Sequence, residues 1–198
     1  RPSATPRVGR LDIFLVNFGS SRAGLTAPDP NAAPGSTGAA TSHILIDSRL
    51  EGGALGAAVI HQYAHASLLS LSTRAPAWWT EASAAWLESR VTADPSAHQE
   101  AIAGRLSRLD RSLTSDALRL SLGNYLWVSY LADRDDGGEA LVRDTWQDLS
   151  RGTATPALSL LDDALRRTGR GGLAEAFREY TRWSLFTGSR DDGDHFLM

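Results

Sequence analysis

The stretch "VIHQYAH", residues 59 to 65, decides how this chain is interpreted. His61 and His65 are four residues apart, so on a helix their side chains lie on one face and can share a metal ion. Helices also acquire two histidines at this spacing by chance, and buried histidines that only form hydrogen bonds give the same pattern. The pair alone therefore leaves a metal site and a structural role both open.

The composition is that of an ordinary globular protein. The chain has 198 residues, of which 42% are hydrophobic and 22% charged, and this is enough for one domain with a substantial core. The formal net charge is -3, and the 20 basic residues are all arginines scattered along the chain. We therefore predict a single domain over residues 1–198 that does not bind nucleic acid.

The metal-ligand chemistry open to the chain is limited, because it contains no cysteine. Disulfides and thiolate ligands are excluded, so a transition-metal site would have to use His, Asp and Glu side chains. Residues 52–73, around the histidine pair, contain no Asp, Glu, Lys or Arg. This length approaches that of a membrane span. Three glycines and several serines make it too polar for one, so we expect a helix buried within a soluble domain and no membrane span.

The order of the elements predicts an α+β fold, with a small N-terminal β layer followed by a mostly helical array. Residues 10–19 and 43–50 have the pattern of short strands, and residues 20–42, rich in Pro, Gly and Ser, are expected to form a long surface loop. Helices are expected over residues 52–72, 77–90, 115–134, 138–151, 156–168 and 172–186, with one more that is capped by Ser96. The chain thus divides into a β-rich region (1–50), two helices around the histidines (51–92) and a helical region (93–198).

A carboxylate on the next predicted helix favours a metal site. Glu81 lies within "PAWWTEASAAWLE", residues 76–88, sixteen residues beyond His65, which is far enough for a loop and a returning helix. Two histidines and one carboxylate complete a three-ligand zinc site with a fourth position open to water. Unpaired imidazoles on a buried helix would be costly by comparison.

Together the two motifs resemble those of the gluzincin metallopeptidases, which have an H-E-x-x-H helix and a Glu ligand on a following helix. The chain is more similar still to secreted metalloproteases of myxobacteria and other bacteria, through a Tyr-bearing helix like residues 123–134 and a C-terminal segment like residues 177–192. The resemblance covers most of the chain from Leu11 onward, and residues 59–88 are its specific segment. It implies a zincin-like fold, a peptide or protein substrate, and a secreted or periplasmic location.

The resemblance also implies roles for individual residues. His61, His65 and Glu81 would be the zinc ligands, and position 62 would be that of the general base. Tyr125 is the candidate for steadying the oxyanion, on the basis of its placement within its helix. Tyr63 is less suited, because it points to the opposite side of its helix from His61.

The surroundings of the ligands carry further expectations. The strand "HILID", residues 43–47, is expected to be the edge on which an extended substrate pairs. Many gluzincins place an Asp four residues after the Glu ligand to orient a zinc-bound His, but here that position is Ala85. Glu88 and Asp47 are the candidates for this missing partner. His98 is expected to lie on the surface near a helix start.

Gln62 stands where the resemblance places the glutamate that moves a proton from the attacking water to the leaving amine. Glutamine has nearly the same shape, but its amide accepts no proton at neutral pH. A general base contributes about 10²–10⁴-fold in rate, so we expect zinc binding without efficient hydrolysis. Either a glutamate has been replaced in the laboratory, which the intact remainder of the motif favours, or the chain is a natural pseudo-peptidase.

Three functions are compatible with these observations. The first is a zinc metallopeptidase that is impaired at residue 62. The second is a zinc-containing pseudo-peptidase that binds a peptide or protein, and the third is a metal-free helical interaction domain. Stoichiometric zinc would exclude the third, and hydrolysis after a Gln62→Glu change would separate the first from the second.

Overall fold

The computed structural model describes residues 11–19, 22–29, 38–92, 98–115, 117–134, 137–152 and 155–196. Within these ranges a small sheet comes first and helices follow, so the predicted α+β class is confirmed. The described strands all lie before residue 50, which also confirms the N-terminal position of the β layer.

The sheet has three strands among the described residues: β1 (Ile13–Val16), β2 (Gly24–Pro28) and β3 (Ser42–Asp47). β3 is the central strand, parallel to β1 and antiparallel to β2. Alternate side chains of a strand point to opposite faces, and Ile44 and Ile46 of β3 are completely buried on one of them.

Two predictions about this region are wrong. Residues 20–42 are not a loop throughout, because they contain β2, whose final residue Pro28 suits an edge position since proline has no N–H to donate. The strand within residues 43–47 is not an edge, because β3 is paired on both sides. The two edges of the described sheet are β1 and β2.

Eight α-helices follow within the described residues. α1 (Gly52–Leu69) carries the histidine pair, and α2 (Ala77–Thr92) carries Glu81. The others are α3 (Gln99–Leu106), α4 (Leu118–Gly123), α5 (Tyr125–Asp133), α6 (Gly138–Ser150), α7 (Ala157–Arg167) and α8 (Leu173–Trp183), with a 3₁₀ turn at Gly188–Arg190. Ser96, the predicted cap, lies outside the described residues. Of the helices in these ranges, none is both long and apolar enough to cross a bilayer.

The single helix predicted over residues 115–134 is in fact two helices, α4 and α5. Asn124, between them, is fully buried and donates from Nδ2 to the carbonyl oxygen of Leu113 at 2.7 Å. Gly123 lets α4 pack closely on α3, because a Cβ at this position would lie 2.3 Å from the carbonyl oxygen of Ala101. The break is therefore fixed by tertiary packing.

α1 lies between two hydrophobic clusters. Ala58 and Ala66 pack with residues of the sheet, whereas Ala64 and Leu68 join the larger cluster formed with the following helices. A third side of α1 is open, and Tyr63 on that side is 59% exposed. The prediction that this helix is buried is therefore correct for two of its faces only.

Candidate metal centre

The two histidines lie on the face of α1 that meets α2. Residues four apart are separated by about 40° around a helix axis, so both imidazoles point the same way. Their ring centroids are 4.8 Å apart, and the Nε2 atom of His65 lies 3.1 Å from the Nε2 atom of His61. Two nitrogen donors are thus presented side by side.

Glu81 reaches the histidine pair from the beginning of α2. The carbonyl oxygen of Pro76 accepts hydrogen bonds from the amides of Trp79 and Thr80, which fixes the first turn. Glu81 Oε2 lies 3.5 Å from His61 Nε2 and 3.4 Å from His65 Nε2. The structure therefore brings the three predicted ligands together in a group that could hold a metal ion.

The spacing of these three atoms agrees with tetrahedral coordination. Zinc bonds of about 2.0–2.1 Å at tetrahedral angles place neighbouring ligand atoms about 3.3 Å apart. The observed separations are 3.1, 3.4 and 3.5 Å. Two imidazoles and one carboxylate suit zinc, and the same donors also serve ferrous iron. The residues therefore fit a divalent transition metal.

The triad lies at a partly open surface. The side chains of His61, His65 and Glu81 are 15%, 13% and 23% exposed. Solvent can therefore reach this group of three side chains from one side. This agrees with a metal that keeps one position for water, in contrast to a closed structural site.

The charges within the cluster favour an ion-paired state. Burial alone would lower the pKa of His61, but hydrogen bonds with Glu81 and Glu88 and their charges raise it to about 9. Burial would raise the pKa of Glu81, but hydrogen bonds with His61 and His65 and their charges lower it to about 2. The carboxylate is therefore ionised, as a ligand must be, whereas a metal ion has to displace a proton from His61.

Glu88 orients the first histidine. His61 Nδ1 donates to Glu88 Oε2 at 2.9 Å, which leaves Nε2 free to face the metal position. Glu88 is buried on α2, seven residues after Glu81 and on the same helical face. Ala85 lies between them, completely buried, where many gluzincins have their Asp.

Asp47, the other candidate for this role, does not reach the histidines in the described contacts. Its two carboxylate oxygens accept hydrogen bonds from Arg49, at 3.0 Å from the Nε atom and 2.5 Å from NH2. Arg49 also donates its backbone amide to the same carboxylate. Asp47 therefore stabilises the turn that follows β3.

The prediction that His98 lies on the surface is wrong. His98 is buried directly before α3, with its ring centroid 5.2 Å from that of Tyr125 and its Nε2 atom 3.7 Å from Glu88 Oε2. It packs inward because its ring lies against that of Tyr125, at the start of α5. The position of His98 at a helix start gives no sign of this burial.

Tyr125 lies in the first turn of α5 and is buried. Its ring packs against that of His98, and burial raises the pKa of its hydroxyl. No hydrogen bond or ion pair of Tyr125 with the three predicted ligands is found among the described residues. The role of Tyr125 at the oxyanion therefore stays a prediction. Tyr63, by contrast, is exposed on the open side of α1, as expected.

Gln62 lies between the ligand face of α1 and the face that packs on the sheet. One residue turns a helix by about 100°, so Gln62 points away from α2 and towards β2. Thr26 of β2 places its Oγ1 2.8 Å from the carbonyl oxygen of Gln62 and 2.9 Å from its Oε1. Sequence reasoning missed Thr26, because its segment was expected to be a loop.

A cavity of about 860 Å³ lies on the other side of α2, away from the ligands. Its walls include Leu68, Trp86 and Trp146, and the ion pair between Arg90 and Asp133 lies at its edge. None of the three predicted ligands lines it. The cavity is therefore separate from the metal centre.

None of the protein-family models, curated proteins and solved structures that were compared with the chain matches it. The gluzincin resemblance therefore depends on the motif residues alone.

Proposed function

We propose that this chain is a zinc metallopeptidase domain of the gluzincin type, with a zincin-like fold, in which Gln62 impairs hydrolysis. The observation that carries the proposal is the triangle formed by His61 Nε2, His65 Nε2 and Glu81 Oε2, with sides of 3.1 to 3.5 Å. Glu88 behind His61 supports it, because a ligand histidine commonly donates its other N–H to a carboxylate.

Each residue has a separate role in this proposal. His61, His65 and Glu81 hold the metal, and Glu88 fixes the ring of His61 so that Nε2 faces it. Bound zinc would supply a Lewis acid that activates water and polarises the peptide carbonyl. A glutamine at position 62 can form a hydrogen bond with the attacking water, but its amide cannot take the proton that the reaction releases.

The substrate in this proposal is an extended peptide that pairs with the edge of β2. β3, which the sequence pattern favours for this role, is enclosed by its neighbours. β2 is an edge strand, and Thr26 on it contacts Gln62, the residue that follows His61. Backbone pairing at such an edge would bring a peptide close to the metal position.

The first experiment measures metal content. Protein purified without chelators is expected to contain about one zinc per chain by elemental analysis, and His61→Ala is expected to abolish it. A protein without stoichiometric metal that also tolerates His61→Ala would support the metal-free interaction domain and contradict the proposal.

The second experiment restores the base. Gln62→Glu is expected to raise peptide hydrolysis by about 10²–10⁴-fold, because a carboxylate can take the proton. Gln99→Glu, the same change on α3, serves as the matched control and should leave the rate unchanged. A zinc-loaded Gln62→Glu protein that binds peptides but hydrolyses none in a broad peptide library would identify the chain as a pseudo-peptidase.

A further inference from the structure

The side chain at position 62 is enclosed by two residues of β2. Thr26 Oγ1 donates its single proton to a pair of oxygens on Gln62, the main-chain carbonyl at 2.8 Å and the side-chain Oε1 at 2.9 Å. Two residues earlier on the same face of the strand, Gly24 lies directly beneath the Gln62 side chain. These contacts join β2 to Gln62, the residue that follows His61.

A side chain at position 24 would crowd the side chain of Gln62. A Cβ there would lie 2.7 Å from Gln62 Cγ, which is closer than real Cβ contacts allow, and 3.2 Å from Gln62 Cδ, which is tighter than most of them. It would also lie 3.1 Å from the carbonyl oxygen of Leu45 on β3. An alanine could not move away from this strand, so the side chain of Gln62 would have to shift.

We propose that Gly24 and Thr26 are positioning residues that set where the side chain at position 62 points. Gly24 provides the space through which this side chain passes, and the Thr26 hydroxyl holds its terminal oxygen, Oε1. The claim that this placement affects catalysis rests on the proposed peptidase function. The claim that β2 sets the placement of residue 62 does not.

The arrangement suits a carboxylate as well as an amide. A glutamate at position 62 would accept the Thr26 hydroxyl with one oxygen and keep the second for proton transfer. A hydroxyl can donate only one proton, so it restrains the side chain without occupying both oxygens. Placement of this kind affects rate strongly, because an error of about 1 Å in a reacting group can cost 10²-fold.

The first test does not depend on activity. The chain has three glutamines, Gln62, Gln99 and Gln147, so selective ¹⁵N-glutamine labelling gives three side-chain amide signals by NMR. The Gln62 signal is the one that is lost in Gln62→Glu. Thr26→Val is expected to move this signal towards the position of a free glutamine, and Thr26→Ser is expected to restore it.

Two further variants make the NMR test decisive. Gly24→Ala should displace the same signal by the independent steric route. Thr145→Val is the matched control, because Thr145 is a buried threonine on α6 that bonds to the Leu141 carbonyl, and it should leave the Gln62 signal in place. A Gln62 signal that is unchanged in both Thr26→Val and Gly24→Ala would overturn the inference.

The second test uses hydrolysis in the Gln62→Glu background. Adding Thr26→Val is expected to lower kcat by about 10–100-fold with KM and zinc content unchanged, and Thr26→Ser should recover the rate. An effect on KM alone would contradict a positioning role. If Gln62→Glu hydrolyses nothing, the peptidase proposal fails, and the NMR measurement still decides whether β2 positions residue 62.

Discussion

Glu88 lies about one helical turn further along α2 than the gluzincin pattern places the residue that orients a ligand histidine. The fourth residue after the Glu ligand is Ala85, which is completely buried where α2 packs on its neighbours. A residue three positions later lies on nearly the same face of the helix, and from there the carboxylate of Glu88 reaches His61 Nδ1 at 2.9 Å. A buried carboxylate thus contacts His61 from a position other than that of the gluzincin motif.

Glu88→Gln should weaken zinc binding by about 10–100-fold, because the histidine loses a charged partner while the shape of the side chain is preserved. Zinc affinity can be measured by competition with a chromophoric chelator. Asp148→Asn is the matched control, since Asp148 is a buried acid that is paired with Arg151 and Arg167, away from the triad. Equal affinities for Glu88→Gln and the parent protein would show that Glu88 does not orient His61.

The approach of His61, His65 and Glu81 to one another could be predicted from the sequence because helical spacing determines where these side chains point. His61 and His65 need only a helix, and Glu81 needs only a returning second helix. Thr26 and His98 could not be predicted in this way. Their positions depend on how β2 and α3 pack, and nothing in the residues next to them indicates which element they will meet.

Asn124 sets the geometry of two elements, because it separates α4 from α5 in a segment with continuous helical character. Its amide bonds to the carbonyl oxygen of Leu113, eleven residues earlier, inside the core. Residues of this kind favour helix ends because their side chains replace helical hydrogen bonds. The break places Tyr125 in the first turn of a new helix.

Asn124→Ala is expected to lower the free energy of unfolding by about 1–3 kcal/mol, because the Leu113 carbonyl would lose a buried hydrogen-bond partner. Urea denaturation followed by circular dichroism would measure this change. Asn17→Ala, a change at an exposed residue, should have a much smaller effect. A stability loss at Asn124 no greater than that at Asn17 would contradict the assigned role.

Among the elements, the long helices were the easier ones to predict. Segments that contain glycine precede α6, α7 and α8, and the predicted starts of these helices agree with the observed ones to within one residue. β2 was missed because five residues that include Gly24 and Pro28 resemble a turn as much as a strand. β2 is held in the sheet by its pairing with β3, which the residues of β2 do not indicate by themselves.

At the scale of the whole molecule, the candidate metal centre takes its residues from the first two helices, so a metal bound there should stabilise the fold. A ligand that binds only the folded state adds about 2.7 kcal/mol at a concentration of one hundred times its Kd. We expect zinc to raise the melting temperature of the parent protein, and a chelator to reverse the rise. His65→Ala should show no such response, and a zinc-dependent rise in that variant would place the metal elsewhere.

The fold class of the whole chain followed from the order of strand-like and helical segments, but the arrangement of the sheet did not. Parallel pairing of β1 with β3 brings together two segments that are separated by about 25 residues, and β2 joins the far side. Hydrophobic pattern indicates which residues are buried. It does not indicate the neighbours of a strand.

The position of α1 between two cores also determines which region of the molecule opens first. The cluster beneath the sheet is small and centres on four buried residues, Ile44, Ile46, Ala58 and Ala66, whereas the helical cluster is several times larger. Regions with few buried contacts undergo local unfolding at lower cost than the global transition. Amides of β3 should therefore exchange with deuterium sooner than those of α5. The side of α1 that faces the sheet would then be the boundary between a region that unfolds locally and a region that opens only on global unfolding.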